Sequence, residues 1–447
     1  MNLTVISLAF LRRRRLSGLL SVCLLGFGLG TIDAVLLFSH QLRDGLERNI
    51  GGIDLVVGAK GSPLQLILSS IFHADTPTGN IPLDEARKIA SRRGIHQAIP
   101  VALGDSYESH RIVGTQRSYA DLYDASLSEG RWWSSPLEVV IGDEASRETG
   151  LSLGDTFASI HGYEPDGHHH EERMRVVGVM NRSGAVLDRL ILTSVETVWQ
   201  VHGIHAKGDE HDEERRGHEG HGHEEHGHEE RSGHEERRGH EGHGHEEHEG
   251  HRSEMDVLKP GPLSSTGLEL TAMLIQYTSP VAAATFPMSI NKNTVLQAAS
   301  PAFETARLFS LIGVGVDTLR AFGMLLAFGA LLGVFVLLHE QLSELLRDLG
   351  VLRLLGLPKE KLLGIVILQG VMLGSAGSIC GLVLGHVGLA VLNVFLSESG
   401  LGSTGNVAWL PIEFGVLLAG PILGATAAFA PAWGAYRTQI SPIIAGD

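Results

Sequence analysis

Four long apolar stretches divide the chain into membrane and aqueous parts. They cover residues 16–38, 319–338, 362–396 and 407–430. An α-helix needs roughly 20 apolar residues to cross the hydrocarbon core of a bilayer, and each stretch reaches that length. The pattern therefore predicts a membrane α-helical protein with four transmembrane helices, and it excludes both a soluble enzyme and a disordered chain.

Arginine positions predict the orientation of these helices. Arg12–Arg15 directly precede the first stretch, and the positive-inside rule places them in the cytoplasm. Four crossings then return the C-terminus to the cytoplasm, together with the basic segment 339–361. The short loop 397–406 has no lysine or arginine and is expected on the outer face. The first stretch exceeds the usual signal-peptide core of about 7–15 residues, so we expect an uncleaved anchor.

The segments at the two ends of the chain are short. Residues 1–15 combine a small apolar segment with the arginine cluster, which is typical of a cytoplasmic segment lying on the inner membrane surface. Residues 431–447 are expected to form a cytoplasmic tail. Residues 39–318, about 280 in all, are long enough for a separate domain on the outer face.

The outer domain mixes helix and strand patterns. Residues 82–90 begin with proline, carry acids in the first turn and precede Gly94, which predicts a helix. Residues 139–141 and 174–180 are β-branched runs bounded by glycine or polar residues, which predicts strands. Residues 268–277 are expected to return a strand to the domain. We therefore predict an α+β domain between the first and second spans.

A histidine-rich repeat interrupts this domain. The sequence ERRGHEGHGHEEH occurs at 214–226 and again at 236–248. Residues 209–252 hold 16 acids and 6 arginines and so carry −10 of the net charge of −16. The rest of the chain is therefore only mildly acidic, and it shows no basic face for nucleic acid. Low apolar content predicts a disordered insertion over 202–256.

Metal capture is the chemistry that this insertion favours. Neutral imidazole is a good ligand for Zn²⁺, Ni²⁺ and Cu²⁺, and a flexible chain can bring several rings together in multi-site, weakly selective binding. The alternatives are a solvated segment without a role and a pH-responsive one. The twelve candidate ligands are His211, His218, His221, His223, His226, His228, His234, His240, His243, His245, His248 and His251. His168, His169 and His170 form a second small cluster, which either assists or is merely a hairpin tip.

Catalytic motifs are missing from the sequence. There is no HExxH metalloprotease motif and no GxxxxGK[ST] phosphate loop. Cys23 and Cys380 lie inside apolar stretches and suggest neither a disulfide framework nor a metal pair. We therefore expect a chain that is not an enzyme.

Small residues predict close packing of the membrane helices. Glycines at GxxxG spacing let helix backbones approach each other. They are Gly370, Gly374, Gly377, Gly381, Gly385, Gly420 and Gly424. His386 is the only ionisable residue deep within a stretch, whereas Asp33 and Glu413 lie towards the outer ends. We expect this histidine to be hydrogen-bonded within the bundle rather than to relay protons.

The cytoplasmic segment is amphipathic. Its leucines recur at helical spacing with charges between them, which suits either a surface helix on lipid headgroups or a helix that docks a partner. Arg347–Gly356, RDLGVLRLLG, resembles the R-E-I-G-x-L-R-A-L-G segment of the FtsX-like, MacB-type ABC transporter permeases. The tail Pro431–Arg437 with Pro442 resembles the P-A-x-x-A-x-R…P ending of that family. Asp348 stands where the family usually has glutamate, and the histidine-rich insertion is a further departure.

Motifs in the outer domain follow the order of the family's periplasmic core. They are Gly94-Ile95, Pro100, Gly130-Arg131-Trp132, Val139–Gly142, Gly150-Leu151, Gly154-Asp155 and Val176–Val179. The resemblance implies a MacB-like core domain in a bacterial inner-membrane permease that transmits nucleotide-driven motion. It also implies two copies of a separate ABC ATPase that binds ATP, and a second permease copy or a paralogue; a periplasmic protein is a further candidate partner. By the same resemblance the ATPase docks on Arg347, Asp348, Leu349, Gly350, Leu352, Arg353 and Gly356.

Three functional hypotheses remain open from the sequence. The first is a permease with a metal-linked role, in zinc handling or in moving a metal-associated cargo. The second is the same permease moving lipid, lipoprotein or peptide, with the insertion incidental. The third is a membrane sensor that binds metal and does not transport.

Overall fold

The computed structural model describes residues 3–13, 15–162, 169–204, 256–259, 266–354, 358–398 and 409–437. Side chains are not described at 341–357 or at a few isolated positions. Two compact units emerge: Met1–Arg48 with Thr305–Asp447, and Asn49–Glu304. The second unit is shorter than the domain predicted at 39–318, because helices that contain apolar stretches continue into the polar sequence on either side.

The helices and strands are named here in chain order. The helices are α1 (Leu3–Arg13), α2 (Arg15–Ile50), α3 (Pro63–Ser70), α4 (Leu83–Ala90), α5 (Arg117–Asp121), α6 (Asp143–Thr149), α7 (Val195–Val201), α8 (Pro280–Asn293), α9 (Pro301–Leu354), α10 (Lys359–Glu398) and α11 (Glu413–Arg437). The strands are β1 (Leu55–Ala59), β2 (Ile81–Pro82), β3 (Ile95–Tyr107), β4 (His110–Thr115), β5 (Leu127–Gly130), β6 (Glu138–Ile141), β7 (Thr156–His161), β8 (His169–Met180), β9 (Ile191–Ser194), β10 (Glu269–Leu270), β11 (Ala272–Tyr277) and β12 (Leu296–Ala299).

Four of these helices are long and apolar enough to cross a membrane. The candidate spans are Arg15–Ile50, Pro301–Glu340, Lys359–Phe395 and Glu413–Gly434. The four-helix prediction is therefore confirmed, although the bounds differ from the apolar stretches. The fourth helix begins at Glu413 rather than at 407, because the Glu413 carboxylate accepts a hydrogen bond from the Leu410 amide at 2.8 Å and terminates the preceding loop.

Glycines on α10 allow close backbone contacts on two sides. A methyl group added at Gly370 would collide with the carbonyl oxygen of Gly424, and one at Gly374 would collide with that of Gly420, both on α11. Further along α10, a Cβ at Gly381 would lie 3.1 Å from the amide nitrogen of Gly30 on α2. The GxxxG glycines therefore lie at helix–helix contacts with two neighbours.

The same unit has contacts that the GxxxG search did not single out. A Cβ at Gly28 of α2 would lie 2.6 Å from the amide nitrogen of Ala327 on α9. The short helix α1 packs on α10, where the buried Ser7 hydroxyl donates to the Ile365 carbonyl at 3.3 Å. The segment expected on the membrane surface thus has one face against the bundle.

The unit Asn49–Glu304 is built on a ten-stranded sheet with the order β12-β1-β11-β3-β4-β9-β6-β8-β5. Strand β7 lies off this path and pairs with both β3 and β8. Consequently the pairings β3-β4-β9-β6-β8-β7-β3 form a closed ring of six strands. The closure between β7 and β3 has two residue pairs, Asp105 with His161 and Ser106 with Ile160.

Two hydrophobic cores stabilise this unit. In one, β1, β3 and β11 pack with α4 and α8 through residues such as Leu55, Ile89, Met273 and Ile290. Ring strands and α6 contribute the other, which includes Val139, Phe157, Met174 and Ile191. The α+β prediction is confirmed, since α4, β6, β8 and β11 form where the sequence pattern placed a helix and three strands.

An ion pair stabilises the loop before β6. Nη1 and Nη2 of the Arg131 guanidinium donate to the two carboxylate oxygens of Glu138, and the Ser134 and Ser135 amides donate to the same carboxylate at 2.8 and 3.3 Å. The hydrogen bond from Arg131 is the main cause that lowers the pKa of Glu138 to about 2. The loop 131–138 is therefore tied to the start of β6 by a charge-assisted network.

Replacing Gly374 with valine should destabilise the membrane unit by about 1–3 kcal/mol, because the added atoms have no space against Gly420. The measurement is the midpoint of thermal unfolding of the detergent-solubilised protein. Gly388→Val is the matched control on α10, since a Cβ there meets nothing within 4 Å. Equal midpoints for the two variants would contradict the packing argument.

Replacing Glu138 with glutamine should lower the free energy of unfolding by about 1–2 kcal/mol, since one charge of a bidentate pair is lost. The pKa of Glu138 is about 2 in the folded protein against an ordinary 4.5, so the contribution is present above pH 4.5 and is lost as the pH falls towards 2. Denaturant unfolding followed by tryptophan fluorescence measures it. Glu129→Gln, at an exposed position of β5, should show little change; a loss of the same size there would refute the assignment.

Candidate functional site

A cluster of one carboxylate and three imidazoles lies where the ring of strands closes. Asp105 is on β3, His161 ends β7, His170 is at the start of β8, and His202 directly follows α7. Asp105 and His161 are paired across the β3–β7 contact, and facing residues of an antiparallel pair project to the same side of a sheet. Chain segments far apart in sequence therefore meet at this point.

The distances among the four side chains are short. Asp105 Oδ1 lies 3.2 Å from His202 Nε2, 3.3 Å from His170 Nε2 and 3.6 Å from His161 Nδ1. His161 Nδ1 and His202 Nε2 are 3.1 Å apart. One nitrogen or oxygen from each residue lies within 4.8 Å of all the others. The four atoms thus surround one common point.

Burial differs across the cluster. The Asp105 side chain is 2% exposed, His170 and His202 are 17% exposed, and His161 is 59% exposed. The carboxylate is therefore withdrawn from solvent, whereas one imidazole remains accessible. A buried carboxylate needs compensating partners, which here are the three rings and one hydroxyl.

Neighbouring groups orient the cluster. The Ser159 hydroxyl donates to Asp105 Oδ2 at 3.1 Å, and His202 Nδ1 lies 2.9 Å from the Val198 carbonyl oxygen. Because a carbonyl only accepts, Nδ1 of His202 carries a hydrogen and its Nε2 faces the other rings. Gly104 leaves the space for this ring, since a Cβ there would be 2.9 Å from His202 Cε1.

Charges within the cluster stabilise each other. Burial would raise the pKa of Asp105, but the close approach of His202 and the charges of His202 and His170 hold that pKa below its ordinary value. The nearby Asp105 carboxylate in turn raises the pKa of His202. Three nitrogens and one carboxylate oxygen are also donors that a divalent transition metal accepts, so these four residues could hold such an ion.

Sequence reasoning found only part of this cluster. His170 belongs to the second small histidine cluster, but Asp105 and His161 were not singled out. His202 was placed at the start of the disordered insertion predicted over 202–256, and this boundary is wrong, because the residue is held directly after α7 by its contact with the Val198 carbonyl. One signal was available, because Asp105 is an acid in the apolar strand sequence IPVALGDSY, where charge is unusual. The approach of β7 and α7 to that strand depends on the ring of pairings and has no local signature.

A second polar cluster lies within the membrane unit and corrects the picture of His386 as isolated from other ionisable groups. His386 Nδ1 is 3.7 Å from Asp33 Oδ2, and its Nε2 is 3.6 Å from Glu413 Oε2. Both carboxylates are buried. His386 is hydrogen-bonded within its own helix, because Nδ1 lies 3.1 Å from the Leu382 carbonyl oxygen. Three spans therefore meet at this histidine.

Other residues singled out from the sequence are only partly described. Arg347, Asp348, Leu349, Gly350, Leu352 and Arg353 lie in the last turns of α9, without described side chains, and Gly356 is outside the described residues. The twelve histidines of the insertion also lie outside the described residues. Their assignments as docking and metal-binding residues stay predictions.

Two protein-family models match the chain. Residues 19–214 match the MacB-like periplasmic core domain, and residues 320–440 match the FtsX-like permease C-terminal region. The comparison with curated proteins found no match.

Solved structures give weaker similarities. The periplasmic region of MacB from Actinobacillus actinomycetemcomitans is 13% identical, with a TM-score of 0.31, and the match covers 59% of this chain and 97% of that one. The extracellular domain of the noncanonic ABC-type transporter YknZ from Gram-positive bacteria is 11% identical, with a TM-score of 0.28, covering 55% and 98%. Family membership therefore depends on the two family models.

The matched regions lie in the order that the resemblance implies. The core-domain match covers most of the first span and much of the α+β unit, and the permease match covers the second half of the second span and all of the third and fourth. Together they cover most of the chain, which belongs to the FtsX-like, MacB-type permeases of ABC transporters.

Proposed function

We propose that this chain is the permease subunit of an ABC transporter and transmits ATP-driven motion from a separate cytoplasmic ATPase to its α+β domain. As a member of this family with four candidate spans, it is a bacterial inner-membrane protein. The observation that carries the proposal is the continuity of α9, which runs unbroken over the 54 residues Pro301–Leu354.

The length and position of α9 suit a transmitting element. At 1.5 Å per residue the helix is about 80 Å long, well beyond the thickness of a bilayer. It begins directly after β12, which ends at Ala299, and its last turns hold the segment that resembles the family's ATPase-docking region. Because a helix is stiff along its axis, displacement at one end is carried to the other.

The second connection to the α+β domain has the same character. Helix α2 continues past its apolar stretch to Ile50, and β1 begins at Leu55. Beyond the apolar stretches, the Arg43 guanidinium of α2 lies over the Phe309 ring of α9 at 5.5 Å. The glycine contacts join α2, α10 and α11 in the spans. A closely packed bundle of this kind supports joint movement of the helices better than it supports a channel between them.

The proposed assembly contains two copies of the ATPase and either a second copy of this chain or a paralogous permease. Both termini are placed in the cytoplasm, as the arginine distribution predicts. Hydrolysis of ATP is assigned to the partner, since the chain lacks a phosphate loop.

The cargo is proposed to be linked to metal, with the histidine-rich insertion capturing Zn²⁺ or a chemically similar ion such as Ni²⁺ or Cu²⁺. The alternative keeps the same permease but assigns it lipid, lipoprotein or peptide cargo, with the insertion incidental. A sensor that does not transport is a weaker alternative, because the matched family model is that of a permease.

Replacing Arg347, Leu349 and Arg353 together with alanine should abolish co-purification with the ATPase while membrane insertion is retained, because the proposed docking surface loses two charges and an apolar contact. The measurement is the ratio of ATPase to permease after affinity purification in mild detergent. Arg320→Ala is the control, since this arginine on the same helix pairs locally with Asp317 at 3.3 Å. An unchanged ratio in the triple variant would count against the docking assignment.

Deleting residues 209–252 should leave folding and ATPase binding intact and reduce the number of zinc ions bound per chain. The deletion removes the twelve candidate histidines together with a net charge of −10. Titration calorimetry of the purified protein measures the stoichiometry. The same number of bound ions before and after deletion would show that the insertion does not capture metal.

A further inference from the structure

We propose that Asp105, His161, His170 and His202 form a Zn²⁺ site that is separate from the histidine-rich repeat within residues 209–252 and holds the ring of strands closed. None of these four residues belongs to the insertion's candidate ligand set. The site goes beyond the transmission role of the permease, because it concerns what the α+β domain binds rather than how motion reaches it.

The spacing of the donor atoms is that of a tetrahedral zinc site. With zinc–nitrogen and zinc–oxygen distances of about 2.0–2.1 Å, tetrahedral geometry separates neighbouring ligand atoms by about 3.3–3.4 Å. Four of the six separations here are 3.1, 3.2, 3.3 and 3.6 Å. The remaining two lie within 4.8 Å. A zinc ion at the common point would thus need only small adjustments of the side chains.

Hydrogen bonds among the four side chains cannot satisfy all of their polar atoms. His202 Nε2 lies at hydrogen-bonding distance from both His161 Nδ1 and Asp105 Oδ1. With a hydrogen already on Nδ1, the neutral ring has none on Nε2, and the imidazolium has one that serves only one of the two neighbours. Asp105 Oδ1 and His170 Nε2 are buried without a partner in hydrogen-bond geometry. Orphaned buried polar atoms are expensive, and a single cation at the centre would satisfy all four groups together.

The surrounding contacts are those that metal-binding residues use. The hydrogen on His202 Nδ1 points to the Val198 carbonyl, which leaves Nε2 free to coordinate. The Ser159 hydroxyl binds Asp105 Oδ2, which leaves Oδ1 facing the rings. Such outer contacts fix the tautomer of a ligating histidine and the orientation of a ligating carboxylate.

The donor set selects among metals. Three imidazole nitrogens exclude the oxygen-preferring Mg²⁺ and Ca²⁺, and the absence of sulfur donors disfavours Cu⁺. Four protein ligands leave no open coordination position, which is typical of zinc that is retained rather than zinc that activates water. The exposed His161 ring gives the ion a route of entry.

A retained ion at this place would reinforce the shortest part of the ring. The β3–β7 contact has only two residue pairs, whereas the site joins β3, β7, β8 and the residue after α7. Zinc would therefore cross-link four segments of the α+β domain. An ion that binds the folded domain and not the unfolded chain raises the stability of the domain as the ion concentration rises. The shape of this domain would therefore be coupled to zinc supply.

The test uses the purified full-length chain and the variant lacking residues 209–252, both stripped with chelator and then titrated with Zn²⁺ or with Co²⁺ as a spectroscopic probe. The deletion variant should retain one ion per chain, show the visible absorption of tetrahedral cobalt, and gain thermal stability on zinc addition. His170→Ala and His202→Ala should each abolish that ion. His161→Ala, at an exposed position that folding tolerates, should weaken binding at least tenfold.

His110→Ala is the matched control. His110 is also a buried histidine beside a carboxylate, 3.2 Å from Glu148, but it lies outside the cluster. This variant should keep the ion and the cobalt spectrum. If the deletion variant does not fold, His170→Ala and His202→Ala in the full-length chain should each lower the number of zinc ions bound per chain by one. Absence of a retained ion, or equal affinity in His161→Ala and the unaltered protein, would overturn the proposal.

Discussion

Close contact between helix backbones is the constraint on which the membrane unit depends. At Gly370 and Gly374, α10 meets α11 with no room for a single methyl group, and at Gly381 it meets the backbone of α2. In lipid no hydrophobic effect drives such helices together, so dispersion contacts over this short distance must hold them. The proposed transmission of force requires α2 and α9 to move together, and such close packing favours joint movement.

A second constraint operates in the α+β domain, where a carboxylate is buried. Asp105 is almost fully withdrawn from water, and such a group is stable only with compensating charge or hydrogen bonds. Its location at the two-pair contact between β3 and β7 concentrates three imidazoles at the place where the ring of strands closes. In the proposed function the outer domain moves, so an ion site at that closure would connect the domain's shape with the chemistry of its surroundings.

Patterns within short stretches of sequence predicted those helices and strands whose formation depends on nearby residues. The four spans follow from apolar length, α4 from its proline and first-turn acids, and β6 and β8 from β-branched runs, and the structure has each of them. Helix ends were less predictable. Helices α2 and α9 extend beyond the apolar stretches through sequence in which charged residues interrupt the apolar ones. The fourth span begins where the Glu413 carboxylate accepts a hydrogen bond from the Leu410 amide. His386 was judged from its own helix, although its carboxylate neighbours come from two others.

The sequence by itself determined the membrane class, the α+β nature of the intervening domain, the family and the presence of a histidine-rich insertion, because length, periodicity and short motifs encode these features along the chain. Only the tertiary structure decided that Asp105, His161, His170 and His202 face one point, and that Asp33 and Glu413 flank His386. Both clusters join residues separated by tens or hundreds of positions. Their geometry is set by strand pairing and helix packing, which no window of sequence contains.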